Sequence, residues 1–417
     1  MGMTIVEKIL ARASGKSHVA PGDVVTVKVD TVVLFDNNFM PSIYQDILKL
    51  EHPERLAVVL DHRVPAPTVQ SASAHKTARQ LVQKFGIKRF HDVGAKQGIC
   101  HQVVADEAYA LPGTVLVCSD SHTCSAGALN CAARGVGGPD VMYAACKGET
   151  WFRVGQTIRY QLEGKLPADV SMKDVFLHIA GKYGNHATQN VEFGGSALPG
   201  LSISARKTMS TMGAELSAEF ATFECDEVLL DYVRARNPAP FEPQHPDADA
   251  NYLEVRRIDL SSLEPLVALP DSVLNNSRPI AAVAGTHIDQ AFIGSCANGT
   301  LEDLRIAAQV LKGRQVAAGT RLIITPGSQK VYLDAAKEGL LATLVEAGAV
   351  VTASTCGACG GGHQGVLGPG EVCITASTRN FKGRMGDPSA RIYMGSPATV
   401  AASAVRGAIA HPGEFLN

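Results

Sequence analysis

Five short runs of β-branched and apolar residues, each breaking into a polar cluster, constrain this chain more than any other feature. Thr31-Val32-Val33-Leu34-Phe35 leads into Asp36-Asn37-Asn38, and Leu56-Ala57-Val58-Val59-Leu60 into Asp61-His62. Thr114-Val115-Leu116-Val117-Cys118 leads into Ser119-Asp120-Ser121-His122-Thr123. Ala291-Phe292-Ile293 precedes Ser295-Cys296, and Val372-Cys373-Ile374-Thr375 precedes Ser377-Thr378-Arg379-Asn380. Strands with no polar face suit parallel sheets covered on both sides, with helical segments such as 73–84 and 301–311 as crossovers. The fold class is therefore α/β. In such sheets the ligand crevice lies beyond the carboxyl ends of the strands. Every chemically capable cluster sits at such an end, which predicts one shared site.

A chain of 417 residues, 46% of them hydrophobic, can bury cores for two to three domains. A proline-dense connector, Asn237-Pro238-Ala239-Pro240-Phe241-Glu242-Pro243-Gln244-His245-Pro246, marks one boundary, with a short strand at 252–258 after it. A weaker break falls near Gly155-Gln156-Thr157, where a glycine-rich stretch read as helical, 124–149, gives way to the alternating segment 157–164. The expected domains are 1–155, 156–278 and 279–417. A formal net charge of −2 gives no electrostatic footprint for nucleic acid, and no apolar run is long enough to span a bilayer. Residues 1–10 read as an amphipathic helix carrying Glu7 and not as a secretory signal, so a cytoplasmic location is expected. Ten cysteines in a chain this long, with Cys118, Cys225 and Cys373 inside apolar runs, fit reduced thiols better than a disulfide framework.

The stretch Thr355-Cys356-Gly357-Ala358-Cys359-Gly360-Gly361-Gly362-His363 follows an amphipathic tail and a short β-prone run, 344–352. It predicts two thiols leaving a strand end in a glycine-rich loop, and Cys296 offers a third after Gln290-Ala291-Phe292-Ile293-Gly294. Three thiolates from two loops suit an iron-sulfur cluster with one iron lacking a protein ligand. On spacing alone, a zinc site with His363 as fourth ligand, a thioredoxin-like redox pair and buried free thiols are alternatives. Taken singly, the polar clusters have plain readings as well. Asp61-His62 is a common surface turn; Asp120 and His122, two apart, share a side of a strand end and could form an ordinary ion pair. Glu215 reads as a solvated helix residue, Arg379 and Arg384 as anion clamps or surface charge, and glycines 135, 137 and 138 as a weak phosphate-loop signal.

The combination narrows these readings. Thr4-Ile5-Val6-Glu7-Lys8-Ile9-Leu10 with Pro21-Gly22-Asp23, then Asp61-His62, Ser119-Asp120-Ser121-His122-Thr123, Gly294-Ser295-Cys296, Cys356-Gly357-Ala358-Cys359 and Arg379-Asn380-Phe381-Lys382-Gly383-Arg384 resemble the aconitase superfamily over nearly the whole chain, in its shorter large-subunit form. The resemblance implies three α/β/α domains with mainly parallel sheets around a 4Fe-4S cluster bound by Cys296, Cys356 and Cys359. It implies a hydro-lyase that moves a hydroxyl between adjacent carbons of a small dicarboxylic hydroxy acid. His62 with Asp61 is then expected to protonate the departing hydroxyl. Asp120 with His101, and His122 with Glu215, are expected as further acid-base pairs, and Ser121, Arg379 and Arg384 as substrate-binding residues.

Three positions depart from the family pattern: Phe35 where relatives carry Gln or His, and Thr211 and Thr378 where they commonly carry Asn. If these side chains lie at the cavity rim, they bear on which acid is preferred among isopropylmalate, homoaconitate, maleate, citraconate and dimethylmalate. The resemblance also implies a partner, a small subunit carrying the swivelling domain, because no comparable segment follows 404–409. Some relatives bind RNA once their cluster is lost, but the near-neutral charge and lack of a basic stripe argue against that role.

Overall fold

The computed structural model describes residues 2–416. The first β-branched run becomes the middle of a five-stranded parallel sheet, in the order Arg89–His91, Leu56–Val59, Thr31–Phe35, Val115–Cys118, Ala132–Gly135. All residues of its three central strands are buried, which is why those runs carry no polar alternation. One face packs Val32, Leu34, Val58 and Val117 on Ile5, Ile9 and Leu10 of the helix Ile5–Ser14, which Thr4 and Glu7 start with a reciprocal capping box. The other face packs Val33, Val59 and Cys118 on Val103 and Val104 of the helix Cys100–Asp106 and on Leu229 and Val233 of the helix Glu227–Arg234. The register sets Phe35 beside Val59 and Val33 beside Cys118, so the chain leaves all three strands at one edge.

A second parallel sheet of four strands runs Ala221–Phe223, Gln189–Gly194, Gln156–Glu163, Glu254–Asp259. The third has seven: Ser277–Pro279, Leu266–Ala268, Arg391–Met394, Val372–Thr375, Gln290–Ile293, Arg321–Ile324, Val350–Val351. It is antiparallel across its first pairings and parallel from Arg391–Met394 onward. It takes in the strand Leu266–Ala268, ahead of residue 279 where that domain is expected to begin, and the strand Ser277–Pro279, which straddles the boundary. The crossover helices form at Val69–Phe85 and Leu301–Leu311, capped by Thr68 and by a Thr300/Asp303 box. Among the described residues no helix is long and apolar enough to cross a membrane.

The stretch 124–149 is not continuously helical. Tight 3-10 turns cover Ser121–Leu129, Asn130 adopts a left-handed φ of 57°, and Ala132–Gly135 joins the first sheet before the helix Gly138–Lys147 begins. Pairing with Val115–Cys118 decides this, since a strand whose neighbour is already in place gains a full ladder of hydrogen bonds. Gly135 is needed for a different reason than phosphate binding: a Cβ there would run into the carbonyl of Asp120. The proline-rich connector folds back on the first sheet, where Asn130 Nδ2 donates to Gln244 O at 3.0 Å and Gln244 N to Asn130 Oδ1 at 2.9 Å.

Candidate active site

The aligned strand ends bring six acid-base groups into one chain of contacts. His62 Nδ1 lies 2.7 Å from Asp61 Oδ1, and its Nε2 lies 3.5 Å from Asp120 Oδ2. Asp120 Oδ1 is 2.7 Å from His101 Nε2 and accepts the backbone N–H of His122 at 2.8 Å. His122 Nε2 is 2.8 Å from Glu215 Oε1, which also accepts Arg379 Nε at 2.7 Å, while Arg379 Nη2 donates to Ser121 Oγ at 2.8 Å. Glu215 is thus no solvated helix residue: it sits in the turn Gly213–Leu216 after the helix Ile203–Met212, which packs on Ser121–Leu129. Burial opposes the charge on Asp120, but hydrogen bonds from His101, His122 and His62 hold its carboxyl well below the usual range. Glu215 is lowered in the same way, against burial, by His122 and Arg379. His62 and His122 are raised, because the neighbouring carboxylates outweigh the burial that disfavours their cations.

The cysteine loops meet this chain from the third sheet. Ser295 leads to Cys296 in a left-handed conformation (φ 69°), and Gly357, at φ 57°, comes so close to Thr325 that a Cβ would stand 2.8 Å from its hydroxyl. Thr355 Oγ1 donates to Asp61 O at 2.7 Å, tying the loop to the His62 turn. All three thiols are free; Cys296 and Cys359 are buried, at 5% and 3% exposed, and Cys356 is partly exposed. Burial, together with mutual charge, pushes the Cys296 thiol well up, and burial raises Cys356 to about 11. Cys359 goes the other way: despite burial, Arg384 and Thr378 bring it down to about 7. Arg384 Nη2 and Thr378 Oγ1 each lie 3.6 Å from its sulfur. Ser295 Oγ and Arg384 Nε are buried without hydrogen-bond partners among the described residues. Three thiols within reach of one another's charge, beside a guanidinium with an unpartnered N–H, fit an anionic multi-acceptor group such as an iron-sulfur cluster. His363 Nε2 is 3.0 Å from the carbonyl of His62, which leaves Nδ1 as its one free ring nitrogen.

Between the cysteine loop and the first sheet lies a cleft of about 250 Å³ lined by His62, Arg63, Asp120, Cys356, His363, Arg379 and Arg384, among others. Of the three departures, Phe35 is buried beside it, its ring centroid 4.7 Å from that of His62. Thr211 and Thr378 are fully buried and do not reach a rim: Thr211 Oγ1 donates to Lys207 O at 2.6 Å within its own helix, and Thr378 lies against Cys359. Asp36 and the buried Lys173 stand among these groups without having been nominated from the sequence. Asp36 accepts the N–H groups of His62 at 3.2 Å and Arg63 at 2.7 Å, fixing the turn that carries both. Its place in the first strand-end cluster was the available signal. Lys173 is fully buried and lowered to about 8 by that burial, against the opposing charges of Asp303, Cys296 and Cys359. Lying within a helix, it carried no signal.

The sequence profile of the aconitase family (aconitate hydratase) matches residues 35–278 and 272–407. A 3-isopropylmalate dehydratase large subunit from Mycolicibacterium smegmatis is 53% identical over 409 residues, covering 98% of this chain and 96% of that protein. A probable methanogen homoaconitase large subunit from Methanothermobacter thermautotrophicus is 42% identical, covering 98% of this chain and 97% of that one. The crystal structure of Thermococcus kodakaraensis aconitase X (holo-form) superposes with a TM-score of 0.51 over 88% of each chain at 14% identity, a likeness of fold alone.

Proposed function

The chain belongs to the aconitase family, and from that premise we propose that it is the large subunit of a 3-isopropylmalate dehydratase. This is a hydro-lyase that interconverts 2-isopropylmalate and 3-isopropylmalate through isopropylmaleate in leucine biosynthesis. The observation that carries the reading is that Cys356, Arg384, which reaches the Cys359 sulfur, and the Asp61-His62-Asp120 contacts meet at one cleft. Phe35 packed on His62 puts an apolar wall beside the acid-base group, which favours an alkyl-bearing or small unsaturated acid, isopropylmalate, dimethylmalate, citraconate or maleate, over one with an extra polar arm such as homoaconitate.

Cys296, Cys356 and Cys359 would hold a 4Fe-4S cluster. When bound, such a cluster supplies a Lewis-acidic iron without a protein ligand, which eases the departure of a hydroxide. The protein's own groups divide the remaining work. Asp61 occupies His62 Nδ1 and stabilises the imidazolium, so His62 holds a proton at Nε2 for the leaving hydroxyl. His101, His122 and the backbone keep Asp120 anionic beside it. Glu215 and Ser121 orient Arg379, and Arg379 and Arg384 offer guanidinium groups to a substrate carboxylate. The relatives' description as large subunits supports a small-subunit partner closing the cleft and excluding water.

The test is anaerobic co-expression with the small subunit, followed by turnover of isopropylmalate and by iron and sulfide analysis of Cys296→Ser, Cys356→Ser and Cys359→Ser. Each variant is expected to lose the cluster and the activity. Full iron and sulfide in all three, or stoichiometric zinc in the wild type, would refute the assignment.

A further inference from the structure

The cleft contains one charge that nothing answers. Asp120 is matched by His101 and His122, His62 by Asp61, Arg379 by Glu215, and Arg384 by the sulfur of Cys359. Arg63 lines the same cleft, is exposed, and its guanidinium has no hydrogen-bond or ion-pair partner among the described residues. Its backbone is nevertheless held firmly. The N–H of Arg63 donates 2.7 Å to Asp36, a carboxylate only 1% exposed, which also accepts the N–H of His62. An arginine on a pinned turn differs from a mobile surface side chain, because part of the ordering entropy is removed before a ligand arrives.

We propose that Arg63 is a specificity-determining residue that binds the substrate carboxylate borne by the third carbon, in the cleft it shares with Arg379 and Arg384. The inference rests on the dehydratase reading, which supplies a dicarboxylic acid. A planar guanidinium matches a carboxylate in two parallel hydrogen bonds. Asp36 is the corresponding positioning residue: by fixing the turn it aims His62 and Arg63 together.

The test compares acids that differ by one carboxylate on the anaerobically iron-loaded two-subunit complex. Isothermal titration with 3-isopropylmalate and with 2-hydroxy-4-methylpentanoate, which lacks the carboxylate on the third carbon, measures how strongly the second carboxylate is read. Wild type is expected to prefer the dicarboxylate, and Arg63→Gln to lower that preference about ten- to a hundredfold while binding the monocarboxylate unchanged. Arg63→Lys, which keeps the charge but not the fork, should fall between. In turnover, Arg63→Gln should raise KM much more than it lowers kcat, with iron content and thermal melting unaltered. A preference equal in wild type and Arg63→Gln overturns the proposal, as does a weakened subunit association with unchanged KM, which would make Arg63 a docking residue. Turnover of isopropylmalate by the wild type is scored separately. If it is absent, the dehydratase reading fails, and malate against lactate, which differ by the same carboxylate, still decides whether Arg63 reads it.

Discussion

At the scale of single residues, Asp120 holds the site together, because three histidines converge on one carboxylate whose side chain is 17% exposed. Its folded pKa is depressed by the hydrogen bonds of His101, His122 and His62, which overcome the burial that would raise it. A depressed carboxylate contributes stability that is fully present above its unfolded value, about 3.9, and is lost as pH falls through the folded value. Asp120→Asn should therefore lower stability by about 3 kcal/mol at neutral pH. The gap between variant and wild type should narrow once the pH drops below about 4. Urea denaturation across pH 3 to 7 measures this, and a gap that stays constant over that range would show that Asp120 contributes by packing alone. Activity should fall with the same substitution, since an amide in that place cannot stabilise a charged His62.

At the scale of elements, the turns Ser121–Leu129 matter most. They carry Ser121 and His122 out of the first sheet and rest on the strand Ala221–Phe223 of the second, where a Cβ on Gly127 would collide with the carbonyl of Ala221. Backbone cannot yield as a flexible side chain does, so Gly127→Ala should cost about 1–3 kcal/mol. It should also reduce kcat, because the displaced segment draws His122 away from Glu215. Thermal melting together with steady-state kinetics checks both. Unchanged melting would mean that the second sheet moves with the turn. The helix Ile203–Met212 buttresses the same junction from the other side, with Thr208 Oγ1 donating to the carbonyl of Ala297, next to Cys296, at 2.9 Å.

At the scale of the whole molecule, the cleft is bounded by groups from the first and third sheets and stays open enough for Arg63 to be exposed. Proton transfer near a carboxylate-rich site depends on excluding water, which strengthens every charge interaction inside. The chain by itself should therefore turn over isopropylmalate at a small fraction of the rate of the co-expressed pair. Comparable rates for purified chain and pair would count against the need for a partner. Air exposure should release one labile iron from the loaded protein before the rest, seen as the appearance of the electron-paramagnetic signal of a three-iron cluster where the intact four-iron cluster is silent.

The apolar runs were enough to identify the buried parallel strands, because a strand covered on both faces has no freedom to carry polar residues, and strand ends are where such sheets bind ligands. The motifs were enough to nominate Cys296, Cys356 and Cys359 and the histidines, since chemistry of that kind needs particular side chains whatever surrounds them. Partnership was another matter. That Glu215 reaches both His122 and Arg379, 93 and 164 residues distant, follows only from three sheets meeting. The strand Ala132–Gly135 appears inside a segment whose composition reads as helix, because its pairing partner was made elsewhere in the chain. Thr211 and Thr378 illustrate the same limit, since whether a side chain faces a cavity or its own helix depends on rotation and packing that no local pattern encodes. Arg63 does so most clearly: an exposed arginine carries no signal until its neighbours are seen to be satisfied and it is not.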